Sequence, residues 1–288
     1  MKKFVIGIGS QRAGSTLLHR LLKESTNIYM HPLKELHYFD TKYKVRGIKA
    51  LQNFSRAQLF REINLLVNRS GSIELNKDQK AYLRANSLLA FKDIGRIEYL
   101  DLYRPNIADN EILGEITPEY MLLPEVGIVD LQNTVGKDAT ILLICRNPVK
   151  RFISSVKLLI NYHDLKSSHE EIEGDIIKRL EESDGWLSAQ DKFNDYQVAI
   201  EKFKKHFDNL VVINYDNFIN NPSIIFEQLR NSLRTNIDEN VFNSLLEQKI
   251  NTLGAEFNPG SRLSSILKNR YSKSSEFIND YFSSTLTL

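Results

Sequence analysis

The sequence predicts an α/β fold, a central parallel sheet with helices on both faces, and three stretches carry the prediction. Phe4-Val5-Ile6-Gly7-Ile8 is a short apolar run that ends in a glycine turn and passes directly into a helical pattern. Ile141-Leu142-Leu143-Ile144-Cys145 is apolar at every position, as a strand covered on both faces must be. Leu210-Val211-Val212-Ile213-Asn214-Tyr215 repeats that pattern between two further helical segments. Strands that alternate with helices build crossover units, and crossover units build a parallel sheet.

Each remaining element follows from its spacing. Leu17, Leu18, Leu21 and Leu22 recur at helical intervals behind Ser15 and Thr16, which suit a helix start. Over 57–69, Leu59, Phe60, Ile63, Leu66 and Val67 fall on one side of an amphipathic helix. A short helix is expected over 96–104, before Pro105. Asn147-Pro148 opens a helix through Phe152, Val156 and Leu159. A further helix is expected over 193–207, and Asn220-Asn221-Pro222 opens one holding Ile225, Phe226 and Leu229. No repeat, low-complexity tract or linker interrupts the series, so residues 1–288 are read as one domain.

Composition narrows the function classes. The chain has 288 residues, of which 42% are hydrophobic, enough to bury a sizeable core without staples. Its one cysteine, Cys145, excludes an intramolecular disulfide and fits a reducing compartment; at the end of an apolar strand it reads as a small buried hydrophobe. A net charge of +2 is too balanced to point to nucleic acid. The opening Met-Lys-Lys is followed by apolar residues only from Phe4 to Ile8, short of the roughly 7–15 of a secretory signal. No run approaches the roughly 18–20 apolar residues of a spanning helix. The expected location is therefore cytoplasmic, with no transmembrane segment. Charge is uneven, however. Residues 170–184 carry seven acids against Lys178 and Arg179, read as a solvated face or mobile segment. Residues 259–275 carry Arg262, Lys268, Arg270 and Lys273 with no acid, and gain meaning only if a polyanion lies beside them.

Gly9-Ser10-Gln11-Arg12-Ala13-Gly14-Ser15-Thr16 nearly spells the Walker A pattern, in the strand-to-helix context that gives the pattern meaning. Backbone N–H groups of such a loop, with the positive end of the helix dipole, form an anion cradle, and Ser15 and Thr16 add hydroxyls. The lysine that would reach the β- and γ-phosphates is replaced by Ser15, and the cation stands earlier, at Arg12. After Cys145 comes Arg146, where a triphosphatase needs a magnesium-holding acid. A P-loop small-molecule kinase is the alternative reading, and both departures count against it.

These residues resemble the sulfotransferases that use 3′-phosphoadenosine 5′-phosphosulfate (PAPS). Gly9 to Leu18 is similar to the family's 5′-phosphosulfate loop, with Arg12 where many members have lysine. Ile141 to Ser154 is similar to the 3′-phosphate segment: apolar strand, Arg146, Asn147, Pro148, a second arginine at 151, and Ser154. His31-Pro-Leu-Lys-Glu-Leu-His-Tyr-Phe-Asp40 is similar to a segment of heparan-type members whose glutamate is the catalytic base, which places that role on Glu35, with His37 as its rival. Gly114-Glu-Ile-Thr-Pro-Glu-Tyr120 is similar to their Glu-Lys-Thr-Pro segment, with Ile116 in place of the lysine. Pro259-Gly-Ser-Arg262 is a looser match to the loop that closes over the 3′-phosphate.

The resemblance implies a P-loop, sulfotransferase-like fold with PAPS as donor, adenosine 3′,5′-bisphosphate as product and no metal. It assigns donor binding to Arg12, Ala13, Gly14, Ser15, Thr16, Arg146, Ser154, Gly260, Ser261 and Arg262, and catalysis to Glu35 and Arg12. A guanidinium fork and a helix-start hydroxyl suit a phosphate dianion. Lys34 is expected to point away from Glu35, as neighbours on an extended segment do. Trp186 is left open between core and acceptor pocket, while Tyr38-Phe39 and Tyr281-Phe282 are expected to pack. Acceptor contacts are expected from segments 41–95 and 160–190. Neither is read as basic enough to grip a sulfated glycan, and the acidic run would repel one, so the expected acceptor is a small molecule, lipid or carrier-bound intermediate.

Overall fold

The computed structural model describes residues 2–68, 71, 74–163, 168–248 and 256–285. Its core is a five-stranded sheet of β1 (Lys3–Gly9), β2 (Tyr29–Met30), β3 (Ile112–Ile116), β4 (Thr140–Cys145) and β5 (Asn209–Asn214), in the order β2-β3-β1-β4-β5. Every neighbouring pair is parallel, as the alternation of strands and helices predicts. The strands bury alternate residues on opposite faces. Ile6, Ile141 and Leu143 join one apolar cluster with Ile128, Leu131, Ala199 and Phe203 of helices Glu125–Val135 and Tyr196–His206. Val5, Leu142 and Ile144 join the other with Leu18, Leu21, Ile225 and Leu229 of helices Ser15–Ser25 and Pro222–Ser232. At about 1.5–3 kcal/mol per fully buried large apolar side chain, these two layers supply the main driving force of the fold. β4 is buried at all six positions, which explains its unbroken apolar sequence.

A third cluster sits beside the sheet, where Phe152 and Val156 of helix Pro148–His163 meet Ile176 and Leu180 of helix His169–Glu182 and Leu263 and Leu267 of helix Ser261–Arg270. The acidic run is therefore one face of a packed helix: Ile176, Ile177 and Leu180 are buried, and most of its acids are exposed. Trp186 packs at 5.6 Å on Phe152 as part of this core. Cys145 is buried, as are Tyr38 and Phe39, while Tyr281 and Phe282 are half-buried against the first cluster.

Three expectations need correction. The helix placed over 57–69 runs from Ile48 to Val67, with Arg69 outside the described residues, and its apolar side is only half used. Leu59 and Leu66 are buried, but Phe60 is 58% and Val67 67% exposed, on the side turned away from helix Lys77–Phe91, its main packing partner among the described residues. The short helix over 96–104 is instead two 3-10 turns, Ile94–Arg96 and Tyr99–Tyr103, that bury Tyr99 and Tyr103. The reading of 41–95 as lacking basic character is also wrong. It holds eleven Lys and Arg against four Asp and Glu, a net +7, whereas the rest of the chain holds 27 against 32, a net −5. The cations stand singly, six of them within helices Ile48–Val67 and Lys77–Phe91 and five outside, so no run announces them. Residues 69–70 and 72–73 of that segment, and 164–167 of 160–190, lie outside the described residues.

Candidate active site

The carboxyl ends of the strands converge on one cleft of about 630 Å³. This is where parallel α/β sheets bind ligands, since the loops leaving the strands gather there. The loop after β1 supplies Gln11, Arg12, Gly14, Ser15 and Thr16; the segment after β2 supplies Lys34 and Glu35; β4 leads to Arg146 and Ser154; β5 leads to Tyr215. A cleft of similar volume, about 640 Å³, opens between Lys23 and Arg234. There both cations are paired, with Asp78 at 3.6 Å and Asp138 at 4.0 Å.

The glycine loop is shaped by its two ends. Gly14 takes φ +96°, and a Cβ there would lie 2.9 Å from the Tyr215 ring, so this position demands glycine twice over. Ser10 donates its hydroxyl to the Phe193 carbonyl at 2.8 Å, which fastens the start of the loop to the neighbouring helix layer. Arg12 sits at φ 64° and donates from Nε to Ser154 Oγ at 3.2 Å. Arg146 Nη1 in turn donates to the Arg12 carbonyl at 2.8 Å, and its guanidinium stacks 4.5 Å from the Tyr215 ring centroid. Thus the structure brings Arg12, Gly14, Ser15, Thr16, Arg146 and Ser154 of two separate sequence motifs to one cleft, whereas Ala13 is fully buried in the second apolar cluster and its amide donates to the Ser10 carbonyl at 3.2 Å. Neither guanidinium has a carboxylate partner within 4 Å among the described residues, and Nε of Arg146 is buried without a hydrogen-bond partner. Burial, then the nearby Arg146 charge, lowers the proton affinity of Arg12. Two cations held together without an acid define a site that favours a polyanion.

Beside them lies a carboxylate–imidazole cluster. His37, at φ 51° and buried, reaches Asp40 Oδ2 from Nδ1 at 2.8 Å and Glu35 Oε2 from Nε2 at 3.4 Å; Glu119 Oε2 lies 3.8 Å from Nδ1. Lys34 Nζ donates to Glu35 Oε1. The expectation that Lys34 turns away is therefore corrected: the segment 31–37 is neither strand nor helix, so alternation does not hold there. Burial would lower the imidazole's proton affinity, but its bonds to Asp40 and Glu35 prevail and raise it to about 10. Burial would raise Glu35, but His37 and Lys34 outweigh it and hold it at about 2. Glu119, pushed up by burial with only partial relief from His37, stands at about 7. Glu35, His37 and Glu119 place ligating atoms within 4.8 Å of one another, close enough to hold a metal ion. As it stands, the imidazole carries its proton at neutral pH and bridges Asp40 and Glu35.

The segment that carries Glu35 is fixed by residues of the Gly114–Tyr120 motif, to which the sequence reading gave no such role. Glu115 of β3 is fully buried and accepts from Tyr99 Oη at 2.6 Å, Tyr120 Oη at 2.9 Å, Thr117 Oγ1 at 2.7 Å and the Leu36 amide at 3.2 Å. Tyr120 Oη also accepts from the Tyr38 amide at 3.2 Å. Ile116 lies in the opposite apolar cluster, and its amide donates to the Lys34 carbonyl at 3.3 Å. Arg151, the second arginine of the β4 motif, is also fully buried: it donates to Asn194 Oδ1 at 2.5 Å, Gln190 Oε1 at 3.1 Å and the Gln190 carbonyl at 2.8 Å. It braces the loop and does not face the cleft. Its charge adjacent to an Asn-Pro helix start was the one available signal.

Gly260, Ser261 and Arg262 are not among the cleft-lining residues. They are exposed; the Gly260 amide donates to Glu173 Oε2 at 2.7 Å, and Arg262 lies 3.7 Å from Glu181. The polyanion beside the basic tail is thus the chain's own acidic helix. Residues 249–255, which lead to this turn, lie outside the described residues.

A glycine loop closing on a helix start, with cations from two strand ends and an acid–imidazole cluster alongside, makes an α/β site suited to an anionic ligand. Residues 5–239 match the model of the Sulfotransferase family, and the chain belongs to that family. The fold is similar to the crystal structure of a sulfotransferase from Alicyclobacillus acidocaldarius, with a TM-score of 0.56 and 17% identity over 95% of this chain and 92% of that one. No curated protein matches the sequence. No helix among the described residues is long and apolar enough to cross a membrane.

Proposed function

We propose that the protein transfers the sulfuryl group of PAPS to a hydroxyl or amine acceptor, with Glu35 as general base. The observation that carries this reading is the pair of arginines, Arg12 and Arg146, linked by the bond from Arg146 Nη1 to the Arg12 carbonyl and lining one cleft with Ser154 and Glu35. PAPS presents two separate anionic groups, a 5′-phosphosulfate and a 3′-phosphate. In this reading the loop amides and Arg12 take the first, and Arg146 with Ser154 the second. Gly260, Ser261 and Arg262 join the donor site only if Glu173 and Glu181 release them.

The acceptor oxygen or nitrogen attacks sulfur and gives its proton to Glu35. The bond from sulfur to the 5′-phosphate oxygen breaks, and adenosine 3′,5′-bisphosphate leaves. Arg12 stabilises the charge that grows on the bridging oxygen, where one well-placed donor is worth about 2.7–4 kcal/mol. A carboxylate held at about 2 is a weak base as it stands. The bound donor remedies this. Lys34 lines the same cleft, and a phosphosulfate draws its ammonium away from Glu35, raising the carboxylate's proton affinity. The side-chain cations take the charge-stabilising role, so the step needs no metal.

The test is transfer of ³⁵S from labelled PAPS by Glu35→Gln and His37→Ala proteins. Loss of the base lowers turnover about 10²–10⁴-fold while binding of adenosine 3′,5′-bisphosphate persists. Near-full turnover in Glu35→Gln removes Glu35 from the role.

A further inference from the structure

The helical pair Ile48–Val67 and Lys77–Phe91 gathers the molecule's exposed apolar side chains and its excess positive charge in one place. Seven of the twelve exposed large hydrophobics among the described residues fall within 41–95, with Phe60, Val67 and Phe91 58–67% exposed. Along the first helix Arg56, Phe60, Ile63 and Val67 follow one another at helical spacing, and along the second Lys80, Ser87 and Phe91 do the same. The Arg56 guanidinium lies 5.8 Å from the Phe91 ring centroid and so links the two rows. Lys49, Arg56, Arg61, Lys80 and Lys92 form no ion pair among the described residues, in a segment of net charge +7 on a chain that is otherwise −5.

We propose that this helical pair docks the protein on an anionic lipid surface. A row of half-exposed aromatic and aliphatic side chains flanked by unpaired cations is what an interfacial bilayer site requires. The apolar row enters the headgroup boundary while the cations meet lipid phosphates. The two features together select this occupant. A sulfated polysaccharide satisfies the cations but leaves Phe60, Ile63 and Val67 without a phase to enter. A second copy of the same two helices, with six Lys and Arg against Glu62 and Asp78, opposes positive charge with positive charge. The pair is also braced to the candidate site: Arg46 stacks 6.0 Å from the Phe54 ring and lies 4.0 Å from Glu119. Docking would therefore hold the Glu35 cleft in a fixed relation to the membrane. Nothing in this inference depends on sulfuryl transfer.

Flotation of the full chain with vesicles tests it. Vesicles of phosphatidylglycerol and phosphatidylcholine in equal parts carry the protein up the gradient, and phosphatidylcholine alone does not. The Arg61→Gln/Lys80→Gln protein partitions roughly 30-fold less, at about fivefold per cation. Phe60→Ser/Val67→Ser also loses binding, whereas Val126→Ser, at an exposed apolar residue outside the segment, does not. Matching melting temperatures show that the variants fold. The inference fails if the anionic vesicles do not bind, or if Phe60→Ser/Val67→Ser binds undiminished. It fails equally if dextran sulfate outcompetes the vesicles, or if sedimentation shows a dimer that the same double variant abolishes.

Discussion

Replacing His37 by glutamine removes the only group among the described residues that hydrogen-bonds the Asp40 side chain. Asp40 is fully buried, its Oδ2 bonded by His37 at 2.8 Å and its Oδ1 without a partner. Taking one member from a buried ion pair strands the other, at a cost of about 3–5 kcal/mol. Glu35 adds little, because its side chain is 30% exposed. The sign with pH follows from the two shifts. His37 is raised from 6.5 to about 10, so its contribution is complete below 6.5 and is lost as pH climbs through 10. Glu35 is lowered from 4.5 to about 2, so its contribution is present above 4.5 and is lost as pH falls through 2. The difference between wild type and His37→Gln is thus full up to about 6.5 and shrinks chiefly as pH climbs through 10, with only a small loss below about 4.5, where the exposed Glu35 contributes little. Urea unfolding of both proteins, below about 6.5 and as pH climbs through 10, measures it. A difference that stays constant from acid to alkaline pH would show that His37 acts only by packing.

Three further outcomes follow from the same geometry. Gly14→Ala forces a Cβ into φ +96° and against Tyr215, costing about 1–3 kcal/mol and weakening nucleotide binding; thermal melts and calorimetry read the two effects. Arg151→Met leaves Asn194 and Gln190 without their buried donor, and lowers stability by about 1–3 kcal/mol for each stranded acceptor in urea titrations. Arg146→Met removes one charge-assisted phosphate contact, worth about 1.5–3 kcal/mol, and weakens adenosine 3′,5′-bisphosphate by roughly 10–150-fold by calorimetry without slowing the bound enzyme comparably.

What could be read from sequence was local. The anion loop announces itself because a strand, two glycines and a helix start lie within a few residues, and Arg146 and Ser154 are spaced by one helix. Both arrangements persist in the fold because β1 and β4 are neighbours. The rest depended on distant contacts. Glu115 anchors the Glu35 segment through Tyr99 and Leu36, which no spacing rule connects. Arg151 reads as surface charge until Gln190 and Asn194 are seen to enclose it. Lys34 meets Glu35 because irregular backbone, unlike a strand, does not separate neighbours. The apolar spacing of helix Ile48–Val67 implied a buried face, yet half of that face has no partner among the described residues. Its scattered lysines and arginines become a single positive surface only when the two helices pair.

The central claim is that Arg12 and Arg146 cradle a donor with two anionic ends, and ligand-induced stabilisation tests it most directly. Adenosine 3′,5′-bisphosphate should raise the melting temperature of the wild-type protein, lose most of that effect in Arg12→Met and Arg146→Met, and outperform ATP with magnesium. Stabilisation by ATP with magnesium but not by the bisphosphate would contradict the account.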